Sequence, residues 1–227
     1  MRKIAVFDID GTIFRSSLII ELVDELIDEG LFPRRARNIY RAAHIKWLDR
    51  NGSYDDYVIA VVRAFVKNIK GVGFDKYINV ARRVIETHND RTYRYTRDLV
   101  RELKKQNYYL LAISNSPKDI LDFFCSKYGF NKVYGRMYEV GGNGKFTGKL
   151  ITPELVADKA NLLHRTLLKE NLVLSGSIGV GDTEADIPFL KLVDRAVCFN
   201  PNSKLYKYAK RAGWEVVVER KDMIYKL

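Results

Sequence analysis

Two kinds of apolar pattern divide the chain. Lys3–Phe7 is a short apolar run that stops at Asp8, the mark of a buried strand in a parallel sheet. Gly11 and Thr12 then open a turn. From about Ser17 to His88 the spacing becomes helical. Leu18, Leu22, Leu26 and Ile27 make one stripe, and Gly30 and Pro33 punctuate it. Pro33 is placed to start a second helix reaching about Asp49, and Gly52 stops it. Ser53 is a natural N-cap for a third, with Val58, Val61, Val62, Phe65 and Val66 on its apolar face. A fourth covers roughly Phe74 to Thr87. Four helices with short loops predict a small bundle.

After about Arg91 helices and strands alternate. The pattern predicts helix Tyr95–Gln106, strand Tyr108–Ile113, a helix from Pro117 to about Tyr128, and a hairpin of Val133–Val140 and Lys145–Ile151 around Gly141–Gly144. Helix Pro153–Glu170, strand Ser177–Val180, helix Asp186–Leu192, strand Arg195–Phe199, helix Asn202–Ala212 and strand Trp214–Val218 follow. Such alternation predicts an α/β fold, a Rossmann-like parallel sheet with helices on both faces. The helical unit, residues 15–91, is then an insertion into a core made of residues 1–14 and 92–227.

Ligands of open α/β sheets bind beyond the carboxyl ends of the strands, and polar residues gather there. The first strand ends in Asp8-Ile9-Asp10-Gly11-Thr12, the strand through Ile113 in Ser114-Asn115-Ser116, and the strand through Val180 in Gly181-Asp182, with Asp186 four residues on. Lys159 lies in the helix before that last strand. Carboxylates brought together at one point repel unless a cation shares them, and hard oxygen donors suit Mg²⁺. Lys159 and Ser114 add a positive charge and a hydroxyl donor for phosphate oxygens. Phosphoryl transfer needs these parts: a nucleophile, a metal, and donors on the equatorial oxygens.

Asp8-Ile9-Asp10-Gly11-Thr12 resembles the first motif of the haloacid dehalogenase superfamily. Leu110–Ser114 resembles its second motif, Lys159 its third, and Gly181-Asp182-Thr183-Glu184-Ala185-Asp186 its fourth. Each motif alone is weak; four in order are strong. The inserted helices sit where the superfamily places its type-1 cap. Glu139–Lys149, Asn200-Pro201 and Gly213-Trp214 are similar to the phosphoserine phosphatase-like branch. The resemblance implies a phosphatase with Asp8 as nucleophile and Asp10 as general acid and base. It implies Mg²⁺ held by Asp8, Asp182 and the Asp10 carbonyl, with Asp186 supporting them. Ser114, the Asn115 amide and Lys159 would hold phosphate.

Two departures bear on the substrate. Phosphoserine-specific members are similar to one another in carrying a Glu where this chain has Ser17, and their fourth motif reads differently at Thr183-Glu184-Ala185. The expected substrate is therefore a small phosphorylated metabolite, with phosphoserine not favoured. Arg15, Ser17 and Glu21 are the candidate selectors. Transfer of the phosphoryl group to an alcohol is the alternative on the same chemistry.

Charge and cysteine content add bounds. The net charge is +11, from 39 basic and 28 acidic residues, and a basic excess attracts nucleic acid or other anions. Residues 15–92 hold 14 basic and 11 acidic residues, and no dense basic stripe interleaves with aromatics. A solvated basic surface is the better reading than a nucleic-acid binder on a hydrolase scaffold. Cys125 and Cys198 have no metal-ligand spacing, and no apolar run approaches the roughly 20 residues of a membrane span. Together these suggest a cytoplasmic protein with reduced thiols. His44, His88 and His164 lack paired spacing, and Tyr40, Tyr54 and Tyr57 read as core and rim of the helical unit.

Overall fold

The computed structural model describes residues 1–152 and 158–227. Its centre is an eight-stranded sheet. In chain order the strands are β1 (Arg2–Phe7), β2 (Tyr109–Pro117), β3 (Lys132–Val140), β4 (Phe146–Ile151), β5 (Leu172–Gly181), β6 (Arg195–Phe199), β7 (Glu215–Arg220) and β8 (Met223–Lys226). They lie side by side as β4-β3-β2-β1-β5-β6-β7-β8. The six inner strands are parallel. The two outer ones, β4 and β8, pair antiparallel. Inner strands carry continuous apolar runs because helices cover both faces.

Four helices separate β1 from the rest: α1 (Leu18–Asp28), α2 (Arg41–Leu48), α3 (Tyr54–Asn68) and α4 (Phe74–His88). Five more follow, α5 (Arg94–Lys105), α6 (Lys118–Tyr128), α7 (Lys159–Glu170), α8 (Ile187–Leu190) and α9 (Ser203–Ala212). None of the described helices is long and apolar enough to cross a membrane. One apolar cluster joins Leu22, Leu26, Phe65 and Tyr77 of the inserted helices to Phe7 and Ala112 of the sheet and Phe124 of α6. A second, around Val6, Leu111, Leu163 and Cys198, fills the other face.

The hairpin after β3 reaches back to the inserted helices. Gly71 N donates to Phe146 O at 2.8 Å, Phe146 N to Val72 O at 3.0 Å and Phe74 N to Gly144 O at 2.8 Å. Phe74, Tyr77 and Phe146 pack edge-on or stacked beneath these bonds.

Several sequence expectations need correction. The turn after Pro33 is a 3-10 helix, Arg34–Ile39, and the α-helix starts only at Arg41. Arg34, Arg35 and Arg37 offer little to bury there. Ser53 does cap α3, accepting from Asp56 N at 3.0 Å, but the apolar face is different from the one expected. Tyr57, Ala60, Val61, Ala64 and Phe65 are buried, whereas Val66 is exposed. Ser177–Val180 is only the end of β5, which a register shift opposite Lys3 and Ala5 divides. β8 has no strong apolar signal and was not expected. Of the helix expected over Pro153–Glu170, residues 153–157 lie outside the described residues.

Candidate active site

Strand register brings the polar ends together. Phe7 pairs with Ala112 of β2 and Val180 of β5, so the ends of β1 and β5 and Ser114 within β2 lie close to one level. Asp8 N donates to Val180 O at 3.0 Å, which fixes Asp8 beside the segment leading to Asp182. Asp8, Asp10, Ser114, Asn115, Lys159 and Asp182 then line one cavity of about 330 Å³.

Lys159 is the centre of charge. Its Nζ donates to Asp8 Oδ1 and to Asp186 Oδ1, both at 2.6 Å. The three groups are buried, with relative exposures of 4% for Lys159, 7% for Asp8 and 0% for Asp186. Asp186 is further engaged through Oδ2, which accepts from Asp182 N at 3.0 Å and Thr183 N at 3.1 Å. It closes the turn that aims Asp182, and so works on the position of that residue rather than on the cavity.

Asp10 is held just as firmly. Its Oδ1 accepts from Leu18 N at 2.6 Å, the first amide of α1. Its Oδ2 accepts from the Ser114 hydroxyl. Ser114 Oγ in turn accepts from Ser116 N at 3.0 Å. The general-acid candidate is therefore tied both to β2 and to the start of the inserted helices.

The electrostatics are unbalanced. Asp8, Asp10, Asp182 and Asp186 face a single buried ammonium. Burial pushes the Asp8 carboxyl up to about 8, with Lys159 opposing and Asp186 and Asp10 reinforcing the rise. Burial also raises Asp182, and the Asp8 charge adds to it. Burial would lower Lys159, but Asp186 and Asp8 outweigh it and hold the lysine above its ordinary value. Such a cluster calls for one more cation.

The donor set fits a hard divalent ion. No set of three His, Cys, Asp or Glu side chains able to hold a metal meets among the described residues. Asp8 and Asp182 offer two carboxylates, and the third ligand implied by the resemblance is a backbone carbonyl, that of Asp10. Backbone and carboxylate oxygens with water completing the shell are what Mg²⁺ takes.

Gly11 makes the close packing feasible. Its φ is +79°, and a Cβ there would run into the Asp182 carboxylate. Gly11→Ala is expected to destabilise the fold by about 1–3 kcal/mol, the usual cost of forcing a side chain into the left-handed region. Urea unfolding of the two proteins checks this.

Not every candidate reaches the cavity. Ser17 does, buried at the start of α1. Arg15 and Glu21 are not among its lining residues. The Arg15 amide turns back to Arg91 O at 2.9 Å. Glu21 is held by Arg91 Nη1 at 2.7 Å, with His88 Nε2 at 3.7 Å. Arg15, ahead of α1, and Glu21, on it, are both bonded to Arg91 in the segment before α5.

Sequence reasoning missed the opposite wall. Tyr54, Asp55, Val58, Ile59 and Val62 of α3 line the cavity, with Ile19 of α1. Their spacing is the i, i+4, i+7 face of a helix, and Val58 and Val62 were read as core. Ser116 does not cap α6, which has no side-chain cap. Its hydroxyl is buried without a partner in the cavity lining, a spare donor beside Ser114.

Comparison with known proteins agrees with this architecture. The family model described as haloacid dehalogenase-like hydrolase matches residues 5–191. A histidinol-phosphatase of Neisseria meningitidis is 32% identical over 111 residues, 47% of this chain and 50% of that protein's length. A phosphoserine phosphatase of Mycobacterium tuberculosis is 26% identical over 216 residues, 93% of this chain and 69% of its own. A solved structure of a phospho-aspartyl intermediate analogue of phosphoserine phosphatase superposes with a TM-score of 0.64 at 19% identity, covering 97% of this chain and 95% of that one.

Proposed function

The chain belongs to the haloacid dehalogenase-like hydrolases, and from that premise we propose that it is a Mg²⁺-dependent phosphatase that hydrolyses a small phosphomonoester through an aspartyl-phosphate on Asp8. The observation that carries the reading is the buried Lys159 bridge between Asp8 and Asp186 at 2.6 Å on each side, in the same cavity as Asp10, Ser114 and Asp182. The two relatives named as phosphatases support it. In this reading residues 15–91 act as the cap over residues 1–14 and 92–227.

The proposed sequence has two displacements. An Asp8 oxygen attacks phosphorus while the ester P–O bond breaks. Asp10 gives its proton to the departing alkoxide. Asp10 then takes a proton from water, whose oxygen attacks phosphorus and releases inorganic phosphate with Asp8 restored. Lys159, Ser114 and the Asn115 amide would hold phosphoryl oxygens, and Ser116 adds a hydroxyl. The Ser114 hydroxyl donates to Asp10 in the free chain, so phosphate must compete for it. Asp8, Asp182 and the Asp10 carbonyl would hold Mg²⁺, which when bound offsets negative charge on both the carboxylates and the phosphoryl group.

The test is hydrolysis of p-nitrophenyl phosphate by the purified protein. Activity should vanish in a chelator and return with Mg²⁺; hydrolysis unaffected by the chelator rejects the metal-dependent reading. A stability measurement checks the same site without turnover. Asp8 is raised from 3.8 to about 8 in the folded, metal-free chain. Raising a carboxyl's value on folding removes stability as pH climbs from the unfolded value toward the folded one. The metal-free protein should therefore lose melting temperature between pH 5 and pH 8. Added Mg²⁺ should raise the melting temperature, and more at pH 8 than at pH 5. An equal Mg²⁺ shift at both pH values would count against the site.

A further inference from the structure

Resting on the phosphatase reading, we propose that the leaving alcohol carries a positively charged group on an apolar body and no carboxylate, and that Asp55 is the residue that selects it. The cavity has two unlike walls. The sheet side presents Asp8, Asp10, Ser114 and Lys159, the phosphoryl end. The α3 side presents Val58, Ile59 and Val62, with Ile19 from α1. Ile59 keeps 49% of its surface exposed, a large apolar side chain left without protein cover. At about 330 Å³ the space is at the lower end of small-molecule pockets, enough for a compact apolar body beyond the phosphate.

Asp55 interrupts that apolar wall. Among the described residues no lysine, arginine or histidine makes an ion pair with it, and its one hydrogen bond is from Asn202 Nδ2 at 3.4 Å. The same Asn202 Nδ2 donates to Glu184 at 2.5 Å, and Lys204 Nζ reaches Glu184 at 2.6 Å. Lys204 is thus bonded to Glu184 and lies near Asp55 without bonding to it. Burial raises the Asp55 carboxyl; Asn202 and Lys204 oppose this and Glu184 adds to it. Asp55 and the exposed Asp56 both lie in the first turn of α3, and of the two it is Asp55 that lines the cavity. Asp55 cannot serve the phosphate, which it repels. A cation on the far end of the substrate satisfies it.

The absence of a substrate carboxylate follows from the same wall. Among the described residues lining the cavity, Lys159 is the only basic side chain, and it belongs to Asp8 and Asp186. A carboxylate beside Asp55 would meet like charge with no compensating donor.

The experiment compares matched phosphomonoesters with Mg²⁺ present: 2-amino-3-phenylpropyl phosphate, 3-phenylpropyl phosphate, O-phosphoserine, and p-nitrophenyl phosphate as reference. The amine ester should exceed its amine-free twin in kcat/KM by about 10- to 100-fold, the range of one charge-assisted hydrogen bond. O-phosphoserine should fall below the amine ester. Asp55→Asn should reduce the preference to within about threefold, and Asp55→Glu should retain it. Each preference is a ratio within one protein, so it does not depend on the amount that folds. If Asp55→Asn yields no folded protein, the wild-type ratios decide. Equal turnover of the two phenylpropyl esters, O-phosphoserine as good as the amine ester, or an undiminished preference in Asp55→Asn overturns the proposal. Failure of the wild type on every ester, p-nitrophenyl phosphate included, strikes instead at the phosphatase reading.

Discussion

Asp8→Asn is expected to lower kcat for p-nitrophenyl phosphate by on the order of 10⁴-fold or more, the scale seen when a covalent nucleophile is removed. The amide is nearly isosteric and cannot form the phosphoenzyme. The fold should survive. Lys159 keeps Asp186 at 2.6 Å, and one of the mutually repelling carboxyls is gone. The thermal midpoint without metal should stay level or rise, while the Mg²⁺-dependent rise should shrink. Activity within tenfold of wild type, with the fold confirmed by circular dichroism, removes Asp8 from the role given to it.

Lys159→Met is the second large effect, and it is read in stability as well as in rate. It deletes the ammonium bonded to two buried carboxylates. Breaking a buried pair by removing one partner typically costs about 3–5 kcal/mol, because the other charge stays uncompensated. The rate should fall by roughly 10²–10³-fold, the usual loss for one donor to transition-state charge. The double variant Asp8→Asn with Lys159→Met sharpens the result. It leaves one fewer buried negative charge and should recover part of the lost stability, a coupling that independent sites do not give. Urea unfolding of the four proteins measures the cycle. A loss below about 1 kcal/mol for Lys159→Met, the range of an exposed pair, contradicts the buried bridge.

The sheet and the polar strand ends could be read from the sequence because each depends on local signals. An apolar run ending in Asp-x-Asp-Gly states both a strand and its functional end. The same holds for Ser114 and Asp182, which the structure brings to one cavity with Asp8. The opposite wall could not be read this way. Val58 and Val62 have the spacing of a core stripe, and only the placement of α3 over the strand ends decides that they face a cavity. Arg15 and Glu21 fail for the converse reason. They lie close in sequence to Asp10, but both are bonded to Arg91, while Ser17 and Ile19 between them line the cavity. Ser116 and Pro117 lie within strand β2, so the helix expected from Pro117 starts only at Lys118. β8 escaped because Met223–Lys226 is mostly exposed, and an edge strand facing water carries little alternation.

The outermost strands run against the grain of the six between them. Two strands on one side and three on the other insulate β2, β1 and β5 from either margin of the sheet. Fusions, grafted segments or trimming at those margins can remodel the periphery while the trio bearing the reactive groups keeps its alignment.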